Sequence, residues 1–204
     1  MTDGIRWIED EAELARHYGT PAEAATIKVQ RRITPLLARW IEASRFCVLT
    51  TAGPEGTDGS PRGDDGPVVR IEGDRTILMP DWRGNERIDS LRNVVRDGRT
   101  SLMFFVPGSN NVVRVNGRAR LTADPRVTES FAQGGRHPRS VIVVGVEEAY
   151  SQCARALLRA RLWTAGDESA ALPTVGDLLA EAKAGFDGAT YDAEWPVRAA
   201  RTMW

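Results

Sequence analysis

The sequence predicts a mainly β protein with peripheral helices, an α+β chain built on an antiparallel meander or barrel. Three observations predict it. Between residues 46 and 79, short β-prone runs alternate with turns rich in glycine and proline. Further on, Val113, Val115, Gly117, Ala119 and Leu121 alternate with Arg114, Asn116, Arg118 and Arg120, the period of a strand with one dry face. Near the ends the apolar spacing becomes helical, as at Ile33, Leu36, Leu37, Trp40 and Ile41.

The elements follow in order. Ile8–Tyr18 reads as an acidic helix ending near Gly19-Thr20-Pro21, and the Ile33–Ile41 stripe as a second. Phe46–Thr51 is a strand, Gly53–Gly59 a long flexible hairpin turn, and Ser60–Gly63, Val68–Ile71 and Arg75–Met79 are short strands. A helix is expected from about Glu86, with Ile88, Leu91, Val94 and Val95 on one side and Gly98 as the left-handed residue beyond its end. Thr100–Val106, apolar on both faces, precedes the long alternating strand. Asp124-Pro125 opens a short helix that Gly134-Gly135 breaks, and Ser140–Val146 is a strand. Tyr150–Trp163 begins as a helix, and Thr174–Lys183 and Asp192–Thr202 are terminal helices. Residues 1–204 form one domain on this reading: N-terminal helices over 1–44, a β core over 45–147 and C-terminal helices over 148–204.

Composition narrows the function classes. The 27 basic and 28 acidic residues leave a net charge of −1, which argues against nucleic-acid binding and against a polybasic membrane patch. No apolar run reaches the ~20 residues of a membrane span. The first residues lack a basic stretch followed by an apolar core, and Cys47 and Cys153 lack CxxC spacing, so a cytoplasmic chain with free thiols is expected. With only His17 and His137, and no carboxylate or cysteine cluster at ligand spacing, no metal site is expected. All but two of the basic residues are arginine, so an arginine carries weight only through its position.

The stretch from Met79 to Asn93 offers such positions. An apolar run leaves through Pro80 and Gly84 into a helical pattern, with Asn85 at the expected N-cap and Arg83 and Arg87 beside it. Free N–H groups, a positive dipole end and guanidinium groups together make a phosphate cradle.

The order of strand, Pro80-Asp81-Trp82-Arg83-Gly84-Asn85-Glu86-Arg87, helix, Asp97–Phe105 strand and Arg114–Leu121 strand resembles the pyridoxamine 5′-phosphate oxidase-like flavoproteins. Glu148–Trp163 is similar to a stretch of that family's predicted FMN-dependent members of unknown substrate. The resemblance spans roughly Arg45 to Trp163. It implies a split β-barrel of the FMN-binding type, a homodimer with FMN at the subunit interface, and oxidoreductase chemistry on an unidentified small molecule. Carried onto this chain, it implies phosphate contacts from Arg62, Arg83, Asn85, Arg87 and Ser90. Polar contacts at the flavin pyrimidine edge would come from Arg114 or Asn116, and Arg159 and Trp163 would lie near the partner's flavin. On the bare pattern, Arg114 and Asn116 read equally as a solvated strand face. The Arg201-Thr202-Met203-Trp204 ending and the absence of lysine between Lys28 and Lys183 depart from vitamin B6 oxidases. The alternatives are an F420-binding reductase and a non-catalytic flavin- or haem-binding carrier or sensor.

Overall fold

Strand propensity and turn chemistry combine in a seven-stranded antiparallel sheet. The computed structural model describes Thr2 and residues 4–203; Trp204, the end of the tail noted above, lies outside the described residues. The strands are β1 (Phe46–Gly53), β2 (Gly56–Gly63), β3 (Arg70–Glu72), β4 (Thr76–Asp81), β5 (Arg99–Phe105), β6 (Val112–Thr122) and β7 (Ser140–Gln152), in the spatial order β2-β1-β5-β6-β7-β4-β3. Around them lie α1 (Glu11–Ala15), α2 (Glu23–Ile27), α3 (Pro35–Glu42), α4 (Asp89–Arg96), α5 (Pro125–Thr128), α6 (Arg155–Ala160), α7 (Val175–Ala182), α8 (Gly188–Ala193) and α9 (Trp195–Thr202).

The sheet curls on itself. β2 and β4 share no ladder, and four strands separate them in the sheet order. Yet Arg62 near the end of β2 meets Asp81 at the end of β4 at 2.5 Å, and the Trp82 indole donates to Asp64 at 2.7 Å. Side chains thus close what backbone pairing leaves open, which is the split of the barrel. The alternation expected in β6 points inward, where Val113, Val115 and Ala119 pack with Leu49, Leu102, Phe104, Ile77, Ile142 and Val144. Each fully buried side chain of this size contributes about 1.5–3 kcal/mol relative to exposure.

Several expectations shift, each for a local reason. The Gly53–Gly59 turn contracts to Pro54-Glu55, because Gly53 pairs with Gly56 and Thr57–Gly59 continue as strand against β1. β7 runs on to Gln152, pairing with β6 as far as Val112, so Tyr150 is in a strand and the helix starts only at Arg155. In α3, Leu36 faces solvent while Ile41 is buried. In α4, Val94 is buried while Val95 is exposed, as is Ile88 at its N-cap. The last helical pattern divides at Glu194 into α8 and α9, with Pro196 in the first turn of the second. Gly98 has φ +82°, as its place just past α4 requires.

The two cysteines differ sharply. Cys47 is buried and Cys153 exposed. Burial pushes the Cys47 thiol up to about 12, against a downward pull from Arg62. Its unfolded counterpart ionises from its ordinary value of 9.0, so any stability tied to this thiol is fully present below pH 9.0 and is lost as pH rises toward about 12. One fast-reacting thiol is expected in native protein titrated with a thiol reagent near pH ~8, and two in denaturant. Two fast thiols in the folded state would refute this burial.

Candidate functional site

The seam between β2 and β4 opens into a cleft of about 1060 Å³. That matches the upper end of small-molecule sites, roughly 300–1,000 Å³. Val68, Met79, Leu91 and Met203 give it apolar wall, and Arg62, Arg83, Arg87 and Arg139 bring guanidinium groups. A smaller recess of about 260 Å³, bounded by Arg83, Arg136, His137 and Arg139, adjoins it.

The strand-to-helix junction differs from the expected cradle. Asn85 is not the N-cap: its Oδ1 accepts the Arg87 backbone N–H at 3.0 Å, and Glu86 takes φ +62°. This local turn competes with the helix and delays it to Asp89, with Ile88 as an N-cap that offers no side-chain bond. The free N–H groups of α4 therefore lie three residues beyond the expected point. Arg87 Nε donates to Asp89 Oδ2 at 2.6 Å, and its side chain is 80% exposed. The same hydrogen bond holds the Asp89 carboxyl below the usual carboxylate range. Ser90 is buried and its hydroxyl donates to Asp58.

Arg62 is the most constrained cation. Its side chain and that of Asp81 are each 19% exposed, and Nη1 is engaged by the carboxylate. Its Nε is buried with no hydrogen-bond partner among the described residues. A guanidinium carries five donors in a fixed fork, so Arg62 can keep Asp81 and still offer hydrogen to an anion in the cleft. The lining also holds Asp64, Asp65, Asp81 and Glu86, the last paired with Arg139 at 3.0 Å. An anion therefore gains from particular donors, not from net positive charge.

Of the residues singled out in the sequence, Arg62, Arg83, Asn85 and Arg87 line the cleft, and Ser90 sits in the first turn of α4 beside Leu91, which does. The other four lie elsewhere in the chain. Val48, Met103, Arg114 and Tyr150 form one row across β1, β5, β6 and β7 on the outer sheet face. Arg114 lies 5.5 Å from the Tyr150 ring centre, with its Nε also buried and without a partner among the described residues. Asn116 donates to Glu148 at 3.3 Å. Arg159 is exposed in α6, and Trp163 Nε1 donates to the Ser109 carbonyl at 2.7 Å. Sequence reasoning missed Asp81, Asp64 and Arg139. Asp81 and Asp64 flank the seam, which is visible only once the strand order is known. Arg139 immediately precedes a strand that pairs with β4, again a matter of topology.

Among the described residues, no His, Cys, Asp and Glu side chains form a group of three placed to hold a metal ion. No helix among them is long and apolar enough to cross a membrane.

Comparison with known proteins sets this geometry in context. No curated protein matches the chain. Similar solved structures include HupZ from Group A Streptococcus, at 15% identity and a TM-score of 0.48, covering 58% of this chain and 93% of that one. General Stress Protein 26 from Bacillus anthracis aligns at 15% identity and a TM-score of 0.41, over 56% of this chain and 88% of its own. An FMN-binding protein from Syntrophomonas wolfei aligns at 15% identity and a TM-score of 0.40, over 60% of this chain and 84% of its own. The family model described as pyridoxamine 5′-phosphate oxidase matches residues 33–153, a stretch that contains all seven strands and both walls of the seam. The chain belongs to the pyridoxamine 5′-phosphate oxidase family, with its split β-barrel fold.

Proposed function

We propose that the chain is an FMN-binding oxidoreductase of small molecules that works in the cytoplasm as a homodimer. The observation that carries the reading is the seam cleft lined by Arg62, Arg83 and Arg87, in a chain of this family. FMN, when bound, supplies the hydride- and electron-accepting chemistry. The chain's residues bind and orient it. Arg62 and Arg87 hold the phosphate, with Arg83, Asn85 and Ser90 around it, and Met79, Val68 and Leu91 exclude water from the adjoining wall. In the dimer, the outer-face residues Arg114 and Asn116, with Arg159 and Trp163, serve the partner's flavin. The recess shared by Arg83 and Arg139 suits an anionic group on the substrate.

The test is the absorption spectrum of freshly purified protein, followed by mass identification of what heat releases and a fluorescence titration with FMN. A flavin spectrum and saturable binding are expected. A colourless protein that ignores millimolar FMN rejects the reading, and a deazaflavin spectrum replaces FMN by F420. Because Arg87 is exposed and already engaged by Asp89, Arg87→Ala is expected to weaken FMN binding by about tenfold. An unchanged dissociation constant removes Arg87 from the phosphate site.

A further inference from the structure

Residues 174–203 lie beyond the family match and form three helices tied to one another. α7 and α8 meet backbone to backbone: a Cβ at Gly176 would overlap the carbonyl of Gly188, and one at Gly188 the carbonyl of Gly176. The Gly176 N–H also donates to Asp192 at 2.9 Å, and Thr174 and Asp177 close a capping box at the start of α7. Arg198 ties α9 to α8. It donates to the Tyr191 carbonyl at 3.2 Å, lies 4.3 Å from the Tyr191 ring centre and pairs with Glu194 at 3.6 Å. The segment leading into this body carries left-handed residues at Arg161 (φ 49°) and Gly166 (φ 82°), and has no buried residue between Arg161 and Thr174.

The far end of this body touches the cleft. Met203, just past α9, is part of the cleft lining, and Arg136 Nη1 donates to the Arg201 carbonyl at 3.4 Å. A cation at the carbonyl end of a helix is favourable, and this contact joins the loop before β7 to the last turn of α9. We propose that α7–α9 is a hinged cap on the seam cleft, latched by Arg136 on the last turn of α9, and that it gates exchange of the cleft's occupant. The role as a flavin gate rests on the FMN reading above; the cap itself does not.

Two measurements on the full chain test it. In stopped-flow experiments with FMN, Arg136→Met is expected to raise association and dissociation rates together, about fivefold, with the dissociation constant within about twofold. Gly188→Ala, which disturbs the body away from the cleft, is expected to do the same. Dissociation rising alone, or neither rate changing, overturns the gate. The second measurement needs no flavin: a thiol in the cleft, Ser140→Cys in a Cys153→Ser background, is labelled by a soluble reagent. Adding Arg136→Met is expected to speed labelling by about fivefold. Unchanged labelling overturns the cap; faster labelling in a protein that never binds FMN overturns the flavin reading and leaves the cap standing.

Discussion

Arg62→Ala is expected to weaken FMN binding by about a hundredfold, more than any other single substitution in the cleft. Each charge-assisted hydrogen bond to phosphate contributes about 1.5–3 kcal/mol, and Arg62 is the guanidinium best placed to deliver it. Its side chain is held at 19% exposure by Asp81, so little rotamer freedom is lost on binding, whereas Arg87 must leave an exposed pairing with Asp89. The alanine also leaves the Asp81 carboxylate facing the cleft without its cation, which repels a phosphate as well as failing to attract it. Arg62→Lys is expected to recover part of the loss, since a point charge still neutralises Asp81 but cannot reproduce the fork. A fluorescence titration decides: a change under about threefold in a folded Arg62→Ala protein would remove the phosphate from the seam.

The removal of Asp81 separates charge from scaffold. Asp81 and Arg62 are the side-chain tie across the split, supported by Trp82 to Asp64. Loss of either partner from a mostly buried pair is destabilising because the other charge is stranded. FMN titrations of these variants therefore belong beside a denaturation curve, so that a loosened seam is not mistaken for a lost ligand contact.

Much of this site was legible in residues close together in sequence. Arg83, Asn85 and Arg87 stand around one turn, and the strand–turn–helix order puts them at a sheet end whatever the rest of the chain does. The details went astray where local chemistry competes with a helix. Asn85 reads as an N-cap because asparagine caps helices, but the same side chain closes a turn onto Arg87 and pushes the helix start to Asp89. The β6 alternation was readable because one face is dry and the period is two. The length of β7 was not, since Glu148–Gln152 has strand character through pairing with Val112–Asn116 and through the bridge of Ala149 to Gln30. Asp81 and Arg62 are nineteen residues apart and lie on strands with four others between them in the sheet order, so their meeting is a property of barrel closure, not of any motif.

β6 and β7 form the middle of the sheet, and at Gly117 their backbones approach closely. The register slips between Asn116 and Gly117, with Asn116 opposite Glu148 and Gly117 opposite Val146, so Glu147 is the extra residue of a bulge. At this bend a Cβ on residue 117 would overlap the carbonyl oxygen of Gly145, a backbone atom that no rotamer change can move. Gly117→Ala must therefore separate the two longest strands of the sheet or abandon the bulge, and it is expected to destabilise the fold by about 3 kcal/mol or more. Gly59→Ala is the control: it lies in an edge strand, and a Cβ there meets nothing within 4 Å. Urea denaturation separates the outcomes, with a lower midpoint and unchanged slope for Gly117→Ala and a near-native midpoint for Gly59→Ala. Equal midpoints for the two variants would mean that the close approach of β6 to β7 at the bulge is not what holds the barrel in register.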